Sequence, residues 1–272
     1  MSARAIPVLM YHHVSPSPGL VTMSPENFRA QMAWLAASGW RTIRTDELAA
    51  FLRGETLPDK SLMLTFDDGW LDNWLYAHPV LREFGLKAVM FLVTGWLGAG
   101  PLRKAAEMDE AMPAHHVCTE RVRDGRADDV MLRWGEVRAM REAGTFEFHS
   151  HTHTHTRWDR IEPDVAMRRC RLAADLAASR SALHEHLGHA SAHLCWPQGY
   201  FDDDYLAVAG SAGFTHFYMT RPGTCTSTLP SEAIPRIVVK DRAAGWMGSR
   251  LWLYSRPLVT KAYLVLQGKG AA

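Results

Sequence analysis

Residues 61–69 read "SLMLTFDDG", a largely apolar run that ends on two adjacent carboxylates and a glycine. Apolar residues at nearly every position of 61–66, with no helical spacing, predict a strand covered on both faces. Similar short runs occur at "IPVLMYH" (6–12), "KAVMFLV" (87–93), "FEFH" (146–149), "HLCW" (193–196), "THFYM" (215–219) and "IVV" (237–239). Helical patterns lie between them, near 24–39, 73–84, 134–143, 163–187 and 203–212. The first, "SPENFRAQMAWLAASG", has Ser24 placed as N-cap, Pro25 at the first helical position and Gly39 as its stop. Buried strands alternating with helices predict an α/β fold with a largely parallel sheet. Chemistry in such folds gathers at the carboxyl ends of the strands, where Asp67 and Asp68 stand.

The bulk properties set limits on function. A chain of 272 residues fits a single α/β domain, and 47% apolar with 22% charged residues is ordinary for a globular protein. A net charge of +1 gives no electrostatic case for nucleic acid. Cys118, Cys170, Cys195 and Cys225 form no C-x-x-C pair, which fits a reducing compartment. "MSARAIPVLMYHHV" lacks the long apolar stretch and cleavage site of a secretory leader, and no run is long enough for a membrane span. The expected location is therefore cytoplasmic. The segment 97–132 is polar and weakly periodic, and reads as an insertion; His115, His116 and Cys118 within it are expected in a polar loop.

Two neighbouring carboxylates repel each other. One of them can bind a cation while the other handles protons. A second chemical signal is "FEFHSHTHTHT" (146–156), with His149, His151, His153 and His155 at alternate positions. In an extended strand all four rings would point to one side. If the chain turns, a pair at i and i+4 can converge on one ion, either His149 with His153 or His151 with His155. Either pair plus a carboxylate suits Zn²⁺, with Co²⁺, Ni²⁺ or Fe²⁺ as other candidates.

"LTFDDG", "SHTHTH" and "CWPQG", together with "IPVLMYHHV", "LRWGEVRAM" and "AGSAGF", resemble the polysaccharide deacetylases of the NodB-homology type, carbohydrate esterase family 4. The resemblance covers roughly residues 6 to 240 and is greatest to the poly-N-acetylglucosamine deacetylase branch. It implies a distorted (β/α) barrel as one catalytic domain over 1–240, followed by a tail over 241–272. It further implies Asp67 as general base, Asp68, His151 and His155 as metal ligands, and His12 as general acid, with His13 an exposed neighbour. The implied reaction removes N-acetyl groups from an N-acetylhexosamine-containing glycan or a lipid-linked precursor. A non-sugar amide, an O-acetyl ester, or binding of glycan without catalysis are the alternatives. Where many members carry an Arg that orients the base, this chain has Cys195; Arg236 in "IPRIVV" is the candidate substitute. Trp196 and Pro197 are expected to wall the acetyl pocket, and Trp70 or Trp96 to stack on a sugar. The tail has no acidic residue after Asp241 but holds Arg242, Arg250, Arg256, Lys261 and Lys269. Two readings of it stay open, packing on the barrel and contact with an anionic membrane surface.

Overall fold

A computed structural model describes residues 2–104, 112–189 and 191–268. Its strands are β1 (Val8–Tyr11), β2 (His13–Val14), β3 (Thr22–Met23), β4 (Arg41–Thr42), β5 (Ser61–Asp68), β6 (Ala88–Leu92), β7 (Phe146–Ser150), β8 (His193–Cys195), β9 (His216–Tyr218) and β10 (Ile237–Val238). Seven of them form one parallel sheet in the order β10-β1-β5-β6-β7-β8-β9, and β4 pairs with the start of β5. The segment 234–238 touches both edges of this sheet. Ile234 bridges Tyr218 on one edge, while Ile237 and Val238 pair with β1 on the other. The sheet is thereby drawn into a distorted barrel. The strand predicted over 61–66 extends two residues further and carries both carboxylates within it.

The helices are α1 (Pro25–Ala37), α2 (Thr45–Leu52), α3 (His78–Glu83), α4 (His115–Arg123), α5 (Trp134–Glu142), α6 (Trp158–Ile161), α7 (Val165–Leu187), α8 (Asp203–Ser211), α9 (Ala244–Tyr254) and α10 (Pro257–Leu266). Ser24 caps α1 as expected, its hydroxyl accepting from the Asn27 amide. Alternation along β5 separates two cores. Leu62, Leu64 and Phe66 pack outward with Phe28, Met32 and Leu35 of α1, while Met63 packs inside the barrel with Val8, Val89, Phe91 and Tyr218. Thr65 and Asp67 share the inward side of Met63. The barrel interior is therefore apolar below and polar at its carboxyl end.

One expectation about a loop is corrected. His115, His116 and Cys118 begin a helix, not a polar loop, and Cys118 is buried with Trp70, Leu71, Val130 and Met131. The remainder of the expected insertion between 105 and 111 lies outside the described residues. The tail folds as two helices, with Pro257 opening the second. Gly248 of α9 lies against Trp34 of α1, where a Cβ would come within 2.9 Å of the indole.

Candidate metal and catalytic site

At the carboxyl end of the barrel, Asp67 and Asp68 align with Phe91 and Leu92 of β6, which in turn align with His149 and Ser150 of β7. The histidine run leaves the sheet after Ser150. Its next amide, that of His151, still donates to the Leu92 carbonyl, and the chain then turns through left-handed conformations at Thr152 (φ 67°) and His155 (φ 58°). Asp175 of α7 holds this turn by accepting from the His153 and Thr154 amides. The turn brings His151 and His155 onto one carboxylate. Their Nε2 atoms lie 3.5 Å and 3.7 Å from Asp68 Oδ1.

The donors suit a cation. Asp68 Oδ1 is buried with no hydrogen-bond partner, whereas Oδ2 accepts from the Trp70 indole N–H at 2.8 Å. His151 Nδ1 lies 2.7 Å from the Cys195 carbonyl, which fixes the proton on Nδ1 and leaves Nε2 as a lone-pair donor. Burial pushes His151 down to about 4, so the imidazole is neutral near pH 7. Burial by itself raises Asp68, but the neighbouring His155, His12 and His151 outweigh it and hold the carboxyl low. One carboxylate and two imidazoles converging on a point is a donor set for Zn²⁺ or a similar divalent ion.

Asp67 has different partners. Arg236 clamps it with two parallel bonds, Nη1 to Oδ1 at 2.6 Å and Nη2 to Oδ2 at 2.7 Å. Both side chains are buried, and Arg236 also donates to Thr65 Oγ1 and the Met219 carbonyl. Burial pushes Asp67 up, but the Arg236 charge and bonds reverse the shift and keep it ionised far below the usual range. The charge missing at Cys195 is thus supplied from the segment before β10. The Cys195 thiol lies against Arg236 Nη2 at 3.0 Å and near both Asp67 oxygens. Asp67, His151 and Cys195 also form a close trio of possible ligands. Burial, however, keeps the thiol well above its ordinary pKa, so it remains protonated and a poor metal donor.

His12, not His13, faces these groups: its Nε2 is 3.7 Å from Asp67 Oδ2 and its side chain is 18% exposed. His13 is buried rather than an exposed neighbour. Its Nδ1 meets Asp72 Oδ2 at 2.5 Å and its Nε2 meets His115 Nδ1 at 3.0 Å. His149 projects to the same inward side as His151 but two residues lower, about 7 Å down the strand. There it pairs with Thr45, Ser191 and Glu147. His153 turns to Thr94.

The sugar stacking expected of Trp70 and the acetyl-pocket wall expected of Trp196 and Pro197 are not what their burial gives. Trp70 is 1% exposed and serves to hold Asp68. Trp196 is fully buried, its ring stacked on Phe217 and packed with Tyr205 behind the sheet, and Pro197 is buried at the start of the next turn. Trp96, half-buried with its ring 5.3 Å from that of His155, is the aromatic group nearer the opening. Asp72 and Thr65 were not singled out from the sequence. A short polar side chain inside or just after an apolar strand is the only signal either offers.

Known proteins place this architecture. The chain is 24% identical over 241 residues to YxkH of Bacillus subtilis (strain 168), a protein described as a polysaccharide deacetylase, covering 88% of this chain and 73% of that one. It is 23% identical over 226 residues to the poly-β-1,6-N-acetyl-D-glucosamine N-deacetylase of Staphylococcus aureus (strain N315), covering 82% and 69%. Among solved structures, the Streptococcus pyogenes deacetylase PplD in complex with acetate superposes with a TM-score of 0.71 at 20% identity, covering 92% of this chain and 99% of that one. IcaB from Ammonifex degensii gives 0.70 at 23% identity, covering 91% and 97%. These likenesses share the fold. The family model for polysaccharide deacetylases matches residues 54–217, more than half of the molecule and both the paired carboxylates and the histidine turn, so this chain belongs to the polysaccharide deacetylase family.

Proposed function

We propose that the protein is a divalent-metal-dependent hydrolase that removes N-acetyl groups from an N-acetylhexosamine-containing glycan, releasing acetate. The observation that carries this reading is the division of labour between neighbouring carboxylates. Asp68 offers a buried unpaired oxygen beside two imidazole nitrogens, while Asp67 is held ionised by Arg236. The name of the S. aureus relative, a poly-β-1,6-N-acetyl-D-glucosamine N-deacetylase, supports the N-acetylglucosamine substrate.

Asp68, His151 and His155 would hold the ion. A divalent cation there supplies Lewis acidity, polarising the acetyl carbonyl and acidifying water enough for a weakly basic carboxylate to deprotonate it. Asp67 accepts that proton as the water oxygen attacks the carbonyl carbon. Arg236 keeps Asp67 oriented and prevents it from taking up a proton before substrate arrives. The amide C–N bond then breaks, acetate retains the oxygen from water, and His12 delivers a proton to the departing amine. His12 can face both Asp67 and an incoming amide because it is the partly exposed member of the Tyr11-His12-His13 run.

The test is acetate release by Zn²⁺-loaded protein from N-acetylglucosamine oligomers, compared with O-acetylated sugars and small amides. Turnover of the oligomers, reduced about 10²–10⁴-fold in Asp67→Asn, is the expected result. Preference for the ester, or release unaffected by Asp67→Asn, would overturn it.

A further inference from the structure

The C-terminal helices play no part in this chemistry, and α10 presents an apolar face to the outside. Thr260 is its buried residue, and Tyr263 and Leu264 are half-buried. On the opposite side Leu258 (84% exposed), Val259, Ala262, Val265 and Leu266 (85% exposed) fall within an arc of about 120° at 100° per residue. Of eleven large apolar side chains exposed among the described residues, five lie between Trp252 and Leu266. Clustering of this kind marks an interaction surface.

Within the C-terminal segment the charges have one sign, although Glu232 is exposed beside Ala233 of the neighbouring loop. No Asp or Glu occurs from Arg242 to the end of the chain, and Arg256 lies 4.6 Å over the Trp252 ring while Arg250 lies over Tyr263. Between α10 and the loop after β9 runs a groove lined by Pro222, Leu229, Pro235, Leu258, Leu264 and Val265. It shares Met219, Arg221 and Ala233 with an adjoining cleft that also bears Arg157 and Arg160. No carboxylate lines that cleft, although Asp159 pairs with Arg157. The loops forming groove and cleft leave the carboxyl ends of β8 and β9, the same end of the barrel as Asp67 and Asp68.

We propose that α10 and its groove dock the protein on an anionic lipid surface. The apolar face and groove enter the acyl region, the arginine-lined cleft meets lipid phosphate, and the deacetylase site faces a glycan carried at the bilayer. This substrate class rests on the function proposed above; the docking itself does not. A second copy is a poor occupant, because pairing this face with itself would bring Arg256 and Lys261 toward their own counterparts. Spanning is excluded for the described helices, none of which is long and apolar enough to cross a membrane. A helix with an apolar face and basic flanks lies in the interface instead.

The test is sedimentation of the whole protein with vesicles of phosphatidylcholine alone and with a quarter phosphatidylglycerol. Binding at least roughly tenfold tighter to the anionic vesicles, and weakened by added salt, is expected. Leu258→Glu/Leu266→Glu should reduce it roughly tenfold or more, and Arg221→Glu by less, with unchanged acetate release from water-soluble oligomers. Inorganic phosphate should compete no better than chloride at equal ionic strength. Three results would each overturn the docking proposal: no binding to the anionic vesicles, an unaffected double variant, or displacement specific to phosphate, which would make the cleft a free-anion site. A wild-type dimer that the double variant converts to monomer would assign the face to a second copy and overturn it likewise. Vesicle binding without acetate release from any substrate would refute the deacetylase function and leave the docking intact.

Discussion

Two assemblies of one aspartate and two histidines flank Trp70, and they are in opposite states. Asp72, His13 and His115 close on one another. Asp72 Oδ1 accepts from Asn73 and the Val14 amide, Oδ2 meets His13 Nδ1, and His13 Nε2 meets His115 Nδ1. A carboxylate accepts, so His13 carries a proton on Nδ1, while its Nε2 shares one with His115 Nδ1. Asp68, His151 and His155 stay apart, at 3.5 Å and 3.7 Å, with Asp68 Oδ1 buried and unpaired. Residue type alone would rank the two sets equally as metal sites. The difference lies in whether donor atoms are already committed to one another. A saturated set contributes to stability, and a convergent set of uncommitted lone pairs is what a cation needs.

The largest effect should come from breaking the open set. His155→Ala is expected to lower Zn²⁺ affinity by more than the roughly 10–100-fold of changes outside the ligand shell, with loss of acetate release. His13→Phe in the closed set should leave metal stoichiometry unchanged. It should cost about 1–3 kcal/mol of stability by leaving Asp72 Oδ2 without the His13 partner. Calorimetric titration and denaturant melts on both variants measure the contrast, and equal loss of metal in the two would erase it.

Trp70 belongs to both assemblies, since its ring stacks on His13 at 4.5 Å while its N–H holds Asp68. Trp70→Phe keeps an aromatic ring but removes the donor and part of a buried indole. Metal affinity should fall about 10–100-fold, with a stability loss of about 1–3 kcal/mol from the space left behind. A stability loss without an affinity loss would move Trp70 to the closed set.

The smallest effect concerns a histidine of neither set. Burial, with His149 and His216 alongside, holds His193 well below its ordinary pKa, so the folded form carries it neutral. As pH falls through about 6.5 the unfolded chain takes up a proton that the folded chain refuses. Metal-free stability should therefore decline from about pH 6.5 downward, by up to about 1.4 kcal/mol per pH unit from this residue. His193→Gln should flatten that slope in melts across pH, and an unchanged slope would assign it to other groups.

How much could be read in advance differs from residue to residue. Asp67 and Asp68 alone fit an ordinary Asp-Asp-Gly turn, and became legible as a site only beside histidines at the end of another strand. The choice of His151 and His155 over His149 and His153 rested on resemblance to a family. The physical reason appears only when the chain turns at Thr152. Trp70 and Trp196 misled because an indole near a motif can equally be a platform, a core filler or a hydrogen-bond donor. Only burial and the Trp70–Asp68 bond distinguish those roles.

By itself the sequence determined the parallel α/β architecture, through apolar runs covered on both faces, and offered two carboxylates and a histidine run as the candidates to bind a cation and move a proton. These are local properties of residue type and periodicity. The tertiary structure decided which donors remain uncommitted, that Arg236 reaches Asp67 from 169 positions away, and that α10 turns Leu258 and Leu266 outward. Those outcomes depend on barrel closure and on burial, and a linear spacing encodes neither.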